Sequence, residues 1–233
     1  VAEVALAIIP ARRGSKRLAG KNTRLFCGKP LLQWSIDVAQ ACTSIDRVLV
    51  TSDDPEVLAI ARAAGVDYIV ERPAELASDT ASSMDVVMHA VQAVESEGEQ
   101  VGEVCLLQPT SPLRSVEDVD AAFALSRAND GASVVSVCEL EHPHRWSAPL
   151  ETDLTMAGFV QSLRAPASLY YRLNGAVYLA SSERLKQAGT FLEDASLALK
   201  MPRERSVDID DELGFVTAEA IRKHFPALDR PLS

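Results

Sequence analysis

Hydrophobic and polar positions along the 233-residue chain sort into short apolar runs separated by amphipathic stretches. The runs Val4–Pro10, Arg47–Thr51, Asp67–Val70, Glu103–Gln108 and Ser133–Cys138 lack the alternation of a half-exposed strand, and this predicts strands buried on both faces. Helices are predicted over Leu31–Ala41, Pro55–Ala64, Thr80–Glu97 and Val116–Asn129. Their ends carry the chemistry that starts and stops helices. Pro30 precedes the first, Asp54 and Pro55 open the second, Gly65 closes it, and Ser115 caps the fourth ahead of first-turn acids.

Repeated strand–helix–strand order predicts an α/β fold, Rossmann-like and three-layered, with a mainly parallel sheet. Ligands of such sheets sit beyond the carboxyl ends of the strands. The loops after Ile9, Val50, Gln108 and Cys138 are therefore the expected working face. After Cys138 the rhythm changes. Glu139–Arg172 holds Pro143, Pro149, Pro166, two histidines and Trp146, and is predicted to be an inserted arm within a single domain of residues 1–233. The sheet is expected to resume with Asn174–Ala180, Ser196–Met201 and Ser206–Ile209, before a helix from Asp211 to about His224.

Composition narrows the function. No apolar run approaches the roughly 20 residues of a membrane span. Val1–Pro10 has no basic start and no cleavage site, and reads as a first strand, not a signal peptide. The four cysteines are scattered without a Cys-x-x-Cys pair, so reduced thiols in a cytoplasmic protein are expected, without structural zinc. A net charge of −10 argues against nucleic-acid binding. Against that acidic background, Arg12, Arg13, Lys16, Arg17, Lys21, Arg24 and Lys29 form a basic run with no acid among them. Such a run suits a compact anion.

Four segments carry candidate chemistry. The first, Pro10 to Asn22 (PARRGSKRLAGKN), follows the first strand. Its glycines let backbone N–H groups wrap an anion while Arg12, Lys16 and Lys21 add charge. Its spacing fits neither a Walker loop nor a dinucleotide fingerprint. The second, Glu71 to Ser83 (ERPAELASDTASS), leads into a helix; its hydroxyls suit capping, and Arg72 and Ser83 equally suit donation to a base edge. In the third, Leu106 to Arg114 (LLQPTSPLR), two prolines brace a turn expected to display Gln108, Thr110, Ser111 and Arg114. In the fourth, Ser206 to Asp211 (SVDIDD), a strand would put Asp208 and Asp210 on one face. Paired carboxylates of that kind suit Mg²⁺, which takes its other ligands from water and phosphates.

Taken in order, and together with SVVSV, YRLNGAVY and SVDIDDELGF, these segments resemble the CMP-sialic acid synthetase family, including its legionaminic and pseudaminic acid branches. The resemblance implies a nucleotidyltransferase fold, a homodimer formed through the arm, and Mg²⁺-dependent transfer of CMP from CTP to an acidic nine-carbon sugar. It implies that Arg12, Ser15, Lys16 and Lys21 hold the CTP phosphates with Asn22 close by, and that Arg72, Ala81 and Ser83 read cytosine. Gln108 would hold the sugar beside Asn174 and Tyr178, Arg164 would meet its carboxylate, and Phe191 would be delivered across the dimer. Asp208 and Asp210 match the metal carboxylates and, with Arg12 and Lys21, the catalytic group. This chain departs from the family pattern at Arg13-Gly14 and at Leu192, where a second aromatic is usual. An expected arm lysine has only Arg145 or Trp146 near its place. The rival readings are a 3-deoxy-octulosonate cytidylyltransferase and a non-catalytic CTP-binding regulator.

Overall fold

The computed structural model describes residues 2–14, 17–78, 81–150, 152, 154–166 and 168–225. Strand β1 (Glu3–Pro10) is followed by a loop, a two-residue hairpin of β2 (Leu25–Phe26) and β3 (Lys29–Pro30), and helix α1 (Leu31–Ala41). Then come β4 (Arg47–Ser52), α2 (Pro55–Ala64), β5 (Tyr68–Glu71), α3 (Ser83–Ser96), β6 (Gln100–Leu106), α4 (Val116–Arg127) and β7 (Val134–Glu139). After these come α5 (Ala157–Leu163), β8 (Tyr171–Ser181), α6 (Ser182–Ala188), β9 (Leu197–Lys200) and α7 (Glu212–His224).

The large sheet has the order β5-β4-β1-β6-β8-β7-β9. Only β8 runs against its neighbours; every other pairing is parallel. Alternate residues of β1 feed two cores. Ala5, Ala7 and Ile9 pack with Ile36 of α1, Val57 of α2 and Phe123 of α4. Leu6 and Ile8 pack on the other face with Val87, Val91 and Val94 of α3 and Leu185 of α6. Double burial is why these strands read as continuous apolar runs.

The caps expected from the sequence form. Asp54 accepts from the Glu56 N–H and Gly65 closes α2 in the left-handed region at φ 68°. Ser115 and Asp118 make a reciprocal capping box on α4. The residue that caps α3 is Ser82, so this helix begins later than the pattern suggested. Helix α6 was not anticipated, although Ser181 caps its start and Gly189 its end.

Ser206–Ile209 is not a strand. Pro202 follows β9 and offers no N–H for a ladder, and the chain leaves the sheet edge through a 3-10 turn at Arg203–Arg205. It then crosses toward the first loop, and the Ile209 N–H donates to the Thr110 carbonyl at 2.8 Å. A third cluster, containing Leu18, Phe26, Leu31, Leu113, Ile209 and Phe215, fastens this crossing and α7 to the hairpin. Between β7 and β8 the segment rich in proline holds α5 and a 3-10 turn at His144–Trp146. Leu150, Leu154, Val160 and Leu169 there are exposed.

Candidate active site

One cavity of about 570 Å³ opens among the expected loops. Arg12, Arg17, Lys21 and Asn22 line it from the loop after β1; Arg72, Ala81 and Ser83 from the stretch between β5 and α3; Gln108 and Thr110 from the turn after β6; Asp208 and Asp210 from the crossing segment. Each group arrives at or beyond a strand's carboxyl end, as the sheet topology requires.

The loop after β1 is held open by local bonds. Gly20 takes φ 62°, a conformation that L side chains rarely adopt, and its carbonyl accepts from the Thr23 and Arg24 N–H groups. The Asn22 side-chain amide donates to the Arg12 carbonyl at 3.1 Å. Both contacts keep Arg12 and Lys21 turned to the cavity side of the sheet. Ser15 and Lys16, also expected on the phosphates, lie outside the described residues.

Lys21 joins the first loop to the last. Its Nζ donates to the Ile209 carbonyl at 2.7 Å and stands 3.6 Å from Asp210 Oδ1. Burial lowers its pKa, with the Asp210 and Asp208 charges opposing. Arg17 reaches the other oxygen of Asp210 at 2.9 Å. The two carboxylates flank buried Ile209. The alternation expected of a strand therefore survives without the strand. Asp208 is open to the cavity but walled by protein, and this partial burial raises its pKa despite a hydrogen bond from Thr110.

The opposite wall is built around Arg72, which is buried. Its guanidinium donates to the Thr51 carbonyl at 2.9 Å and its N–H to the Ser52 carbonyl at 2.8 Å. Burial lowers its pKa, opposed by Asp53. A fixed guanidinium beside Ala81 and Ser83 suits a flat, polar-edged ring.

The third segment divides differently from its expected display. Gln108 and Thr110 face the cavity, whereas Ser111 and Arg114 are buried. Arg114 donates to the Ala176 carbonyl at 2.6 Å and the Ser35 hydroxyl at 2.5 Å, so it braces the turn from behind. Burial lowers its pKa to about 10.

Of the residues expected on the sugar, only Gln108 lines the cavity. Asn174 is buried, and its amide is spent on Ser136, Ser206 and Met201. Tyr178 is half-buried and packs against Phe191, ring centroids 5.8 Å apart; burial and the Asp208 charge raise its pKa. Phe191 itself sits in the core. Arg164 is exposed at the end of α5. Arg17 was missed as a site residue; its only sequence signal was membership of the basic run.

Cations from the first loop set against carboxylates from the last give this α/β protein a cavity of the kind that suits a polyphosphate. A sequence profile described as Cytidylyltransferase matches residues 6–187, and the chain belongs to that family. It is 35% identical over 222 residues to the N-acylneuraminate cytidylyltransferase of Escherichia coli O18:K1:H7, covering 94% of this chain and 52% of that one. It is 30% identical over 221 residues to the CMP-N,N'-diacetyllegionaminic acid synthase of Legionella pneumophila, covering 93% of this chain and 95% of that one. The chain thus spans about half the length of the first relative and nearly all of the second. A solved CMP:2-keto-3-deoxy-manno-octonic acid synthetase complexed with CTP shares the fold, with a TM-score of 0.71 at 17% identity over 95% of this chain and 99% of that one.

Proposed function

We propose that this chain transfers CMP from CTP to the anomeric hydroxyl of a sialic-acid-like nonulosonic acid and releases pyrophosphate. The observation that carries the reading is the meeting of Lys21 and Arg17 with Asp210 inside a cavity whose other wall holds Arg72, Ala81 and Ser83. Sialic and legionaminic acid relatives supply the acceptor class.

The anomeric oxygen attacks the α-phosphorus in line. A new P–O bond forms, the hydroxyl proton is lost to solvent water, the bond from the α-phosphorus to the bridging oxygen breaks, and pyrophosphate leaves with that oxygen. Arg12, Arg17 and Lys21 offset the charge of the polyphosphate, and their fixed positions supply electrostatic stabilisation with little reorganisation. Arg72, Ala81 and Ser83 hold the cytosine, while Gln108 orients the sugar. Correct alignment of the two substrates is the larger part of such catalysis.

Asp208 and Asp210 fit Mg²⁺. They are two hard carboxylates beside a proposed phosphate site, and both are open to the cavity. Two protein carboxylates are enough for an ion that completes its shell from phosphates and water. When bound, Mg²⁺ supplies charge neutralisation at phosphate oxygens.

The enzyme works as a homodimer in the cytoplasm in this reading. Support for the dimer comes from the exposed apolar side chains between β7 and β8.

Pyrophosphate release from CTP and Mg²⁺ should be measured against N-acetylneuraminic, legionaminic, pseudaminic, deaminated nonulosonic and 3-deoxy-octulosonic acids. Turnover with a nine-carbon acid is expected. Turnover with the eight-carbon acid alone, or with none, contradicts the proposal.

A further inference from the structure

The segment that carries Asp208 and Asp210 belongs to no strand, so ladder hydrogen bonds do not set where the two carboxylates stand. Side chains that never reach the cavity do much of that work. Arg205 makes a fork-to-fork pair with Asp118, Nε to Oδ2 at 2.9 Å and Nη2 to Oδ1 at 2.9 Å. The pair is largely buried, with side-chain exposures of 20% and 7%. One residue further on, the Ser206 hydroxyl accepts from the Asn174 amide at 2.9 Å and donates to the Pro202 carbonyl at 2.7 Å.

Asp118 also closes the start of α4. Its Oδ2 accepts from the Ser115 N–H at 3.0 Å and from the Ser115 hydroxyl at 3.1 Å. Helix α4 begins directly after the turn that carries Gln108 and Thr110, and the Thr110 carbonyl accepts from the N–H of Ile209, between the two carboxylates, at 2.8 Å. A single carboxylate therefore ties the Gln108–Thr110 turn to the Asp208–Asp210 segment.

Capping alone does not call for Arg205. Ser115 and Asp118 already satisfy each other, and a largely buried ion pair is an inefficient way to add stability, because desolvation offsets the attraction. What a bidentate pair adds is geometry. We propose that Arg205, gripping Asp118 and seconded by Asn174, is a positioning residue that fixes Asp208 and Asp210 for the metal-bound polyphosphate. The inference rests on the metal reading given above. It also assigns Asn174 to the carboxylate segment instead of the sugar. Partners that hydrogen-bond directly to metal ligands govern metal affinity by about 10–100-fold; Arg205 acts through the backbone of its segment, so the lower end of that range applies.

The test is Mn²⁺ binding, followed by electron paramagnetic resonance with CTP present, in the wild type and in Arg205→Met, Arg205→Lys and Asp118→Asn. CTP affinity without metal and Tm are measured in parallel. Arg205→Met is expected to weaken Mn²⁺ about tenfold while CTP affinity without metal changes by less than about threefold. Arg205→Lys should recover part of the loss, since an ammonium keeps the charge but not the fork. Should Arg205→Met fail to fold, Asp118→Asn, which keeps an oxygen for the Ser115 N–H, carries the same prediction. Variants that lose Tm but keep wild-type Mn²⁺ affinity would overturn the proposal alone. A wild type that binds no Mn²⁺ with CTP present would overturn the metal reading and this proposal with it.

Discussion

Asp208 is held where partial desolvation outweighs the help it receives from Thr110 and Lys21. Its pKa is raised in the folded state, so the ionised carboxylate opposes folding at neutral pH, and the penalty disappears once both states are protonated below the ordinary value of 3.8. In metal-free buffer at pH 7–8, Asp208→Asn should therefore raise Tm by about 1–2 °C, a small gain because the cavity admits water on one side. The advantage should shrink as pH falls through the folded pKa and vanish below 3.8. The same substitution should lower turnover by about 100-fold or more, since a metal carboxylate is lost. Thermal melts across pH, paired with pyrophosphate release, check both halves. A second residue-scale expectation concerns the thiols. Cys42, Cys105 and Cys138 are buried and Cys27 only partly so; burial pushes the Cys42 thiol up to about 12. An aromatic disulfide reagent should label Cys27 in the native protein and the other three only in denaturant, with absorbance giving the stoichiometry.

At the scale of elements, β8 is where sheet and site meet. Gly175 takes φ 74° where the pairing with β7 shifts register, and a Cβ there would lie 2.8 Å from Gln108 Oε1. Gly175→Ala should cost about 1–2 kcal/mol from the left-handed backbone alone. It should also push Gln108 aside, raising the sugar KM more than the CTP KM; steady-state kinetics with each substrate varied separates the two effects. Much at this scale was legible in the sequence. Leu31–Ala41 and Pro55–Ala64 form as read, because Pro, Asp and Gly punctuate them with backbone chemistry that tertiary contacts do not override. Ser206–Ile209 misled because period-two alternation marks any segment with one face buried, and Ile209 is buried against Leu18 and Phe215 with no neighbouring strand. Asn174 misled in the opposite sense: it falls in a motif beside the site, yet its amide points into the packed interior.

Across the described residues, most positions proposed for the nucleotide line the one cavity, whereas of those proposed for the sugar only Gln108 does. Arg12, Lys21, Asn22, Arg72, Ala81 and Ser83 were readable from sequence and converge on one cavity, because each follows the carboxyl end of a strand and parallel topology gathers those ends onto one face. Arg164 lies outside it, on a segment whose position depends on contacts other than those of the sheet. The proposed dimer accounts for this asymmetry. Leu169→Glu, which places charge on an exposed apolar position of that segment, should shift sedimentation from dimer toward monomer and raise the sugar KM by about tenfold, leaving CTP affinity within about twofold. An unchanged sedimentation coefficient would remove the arm from the interface.

Phosphorus NMR of a mixture of protein, CTP, Mg²⁺ and N-acetylneuraminic or legionaminic acid would follow the transfer of CMP to a sugar hydroxyl as it happens. Loss of the CTP signals with equal growth of one phosphodiester resonance and of pyrophosphate is the predicted result. CTP that stays intact while bound, or that yields CDP and phosphate without a phosphodiester, would contradict it.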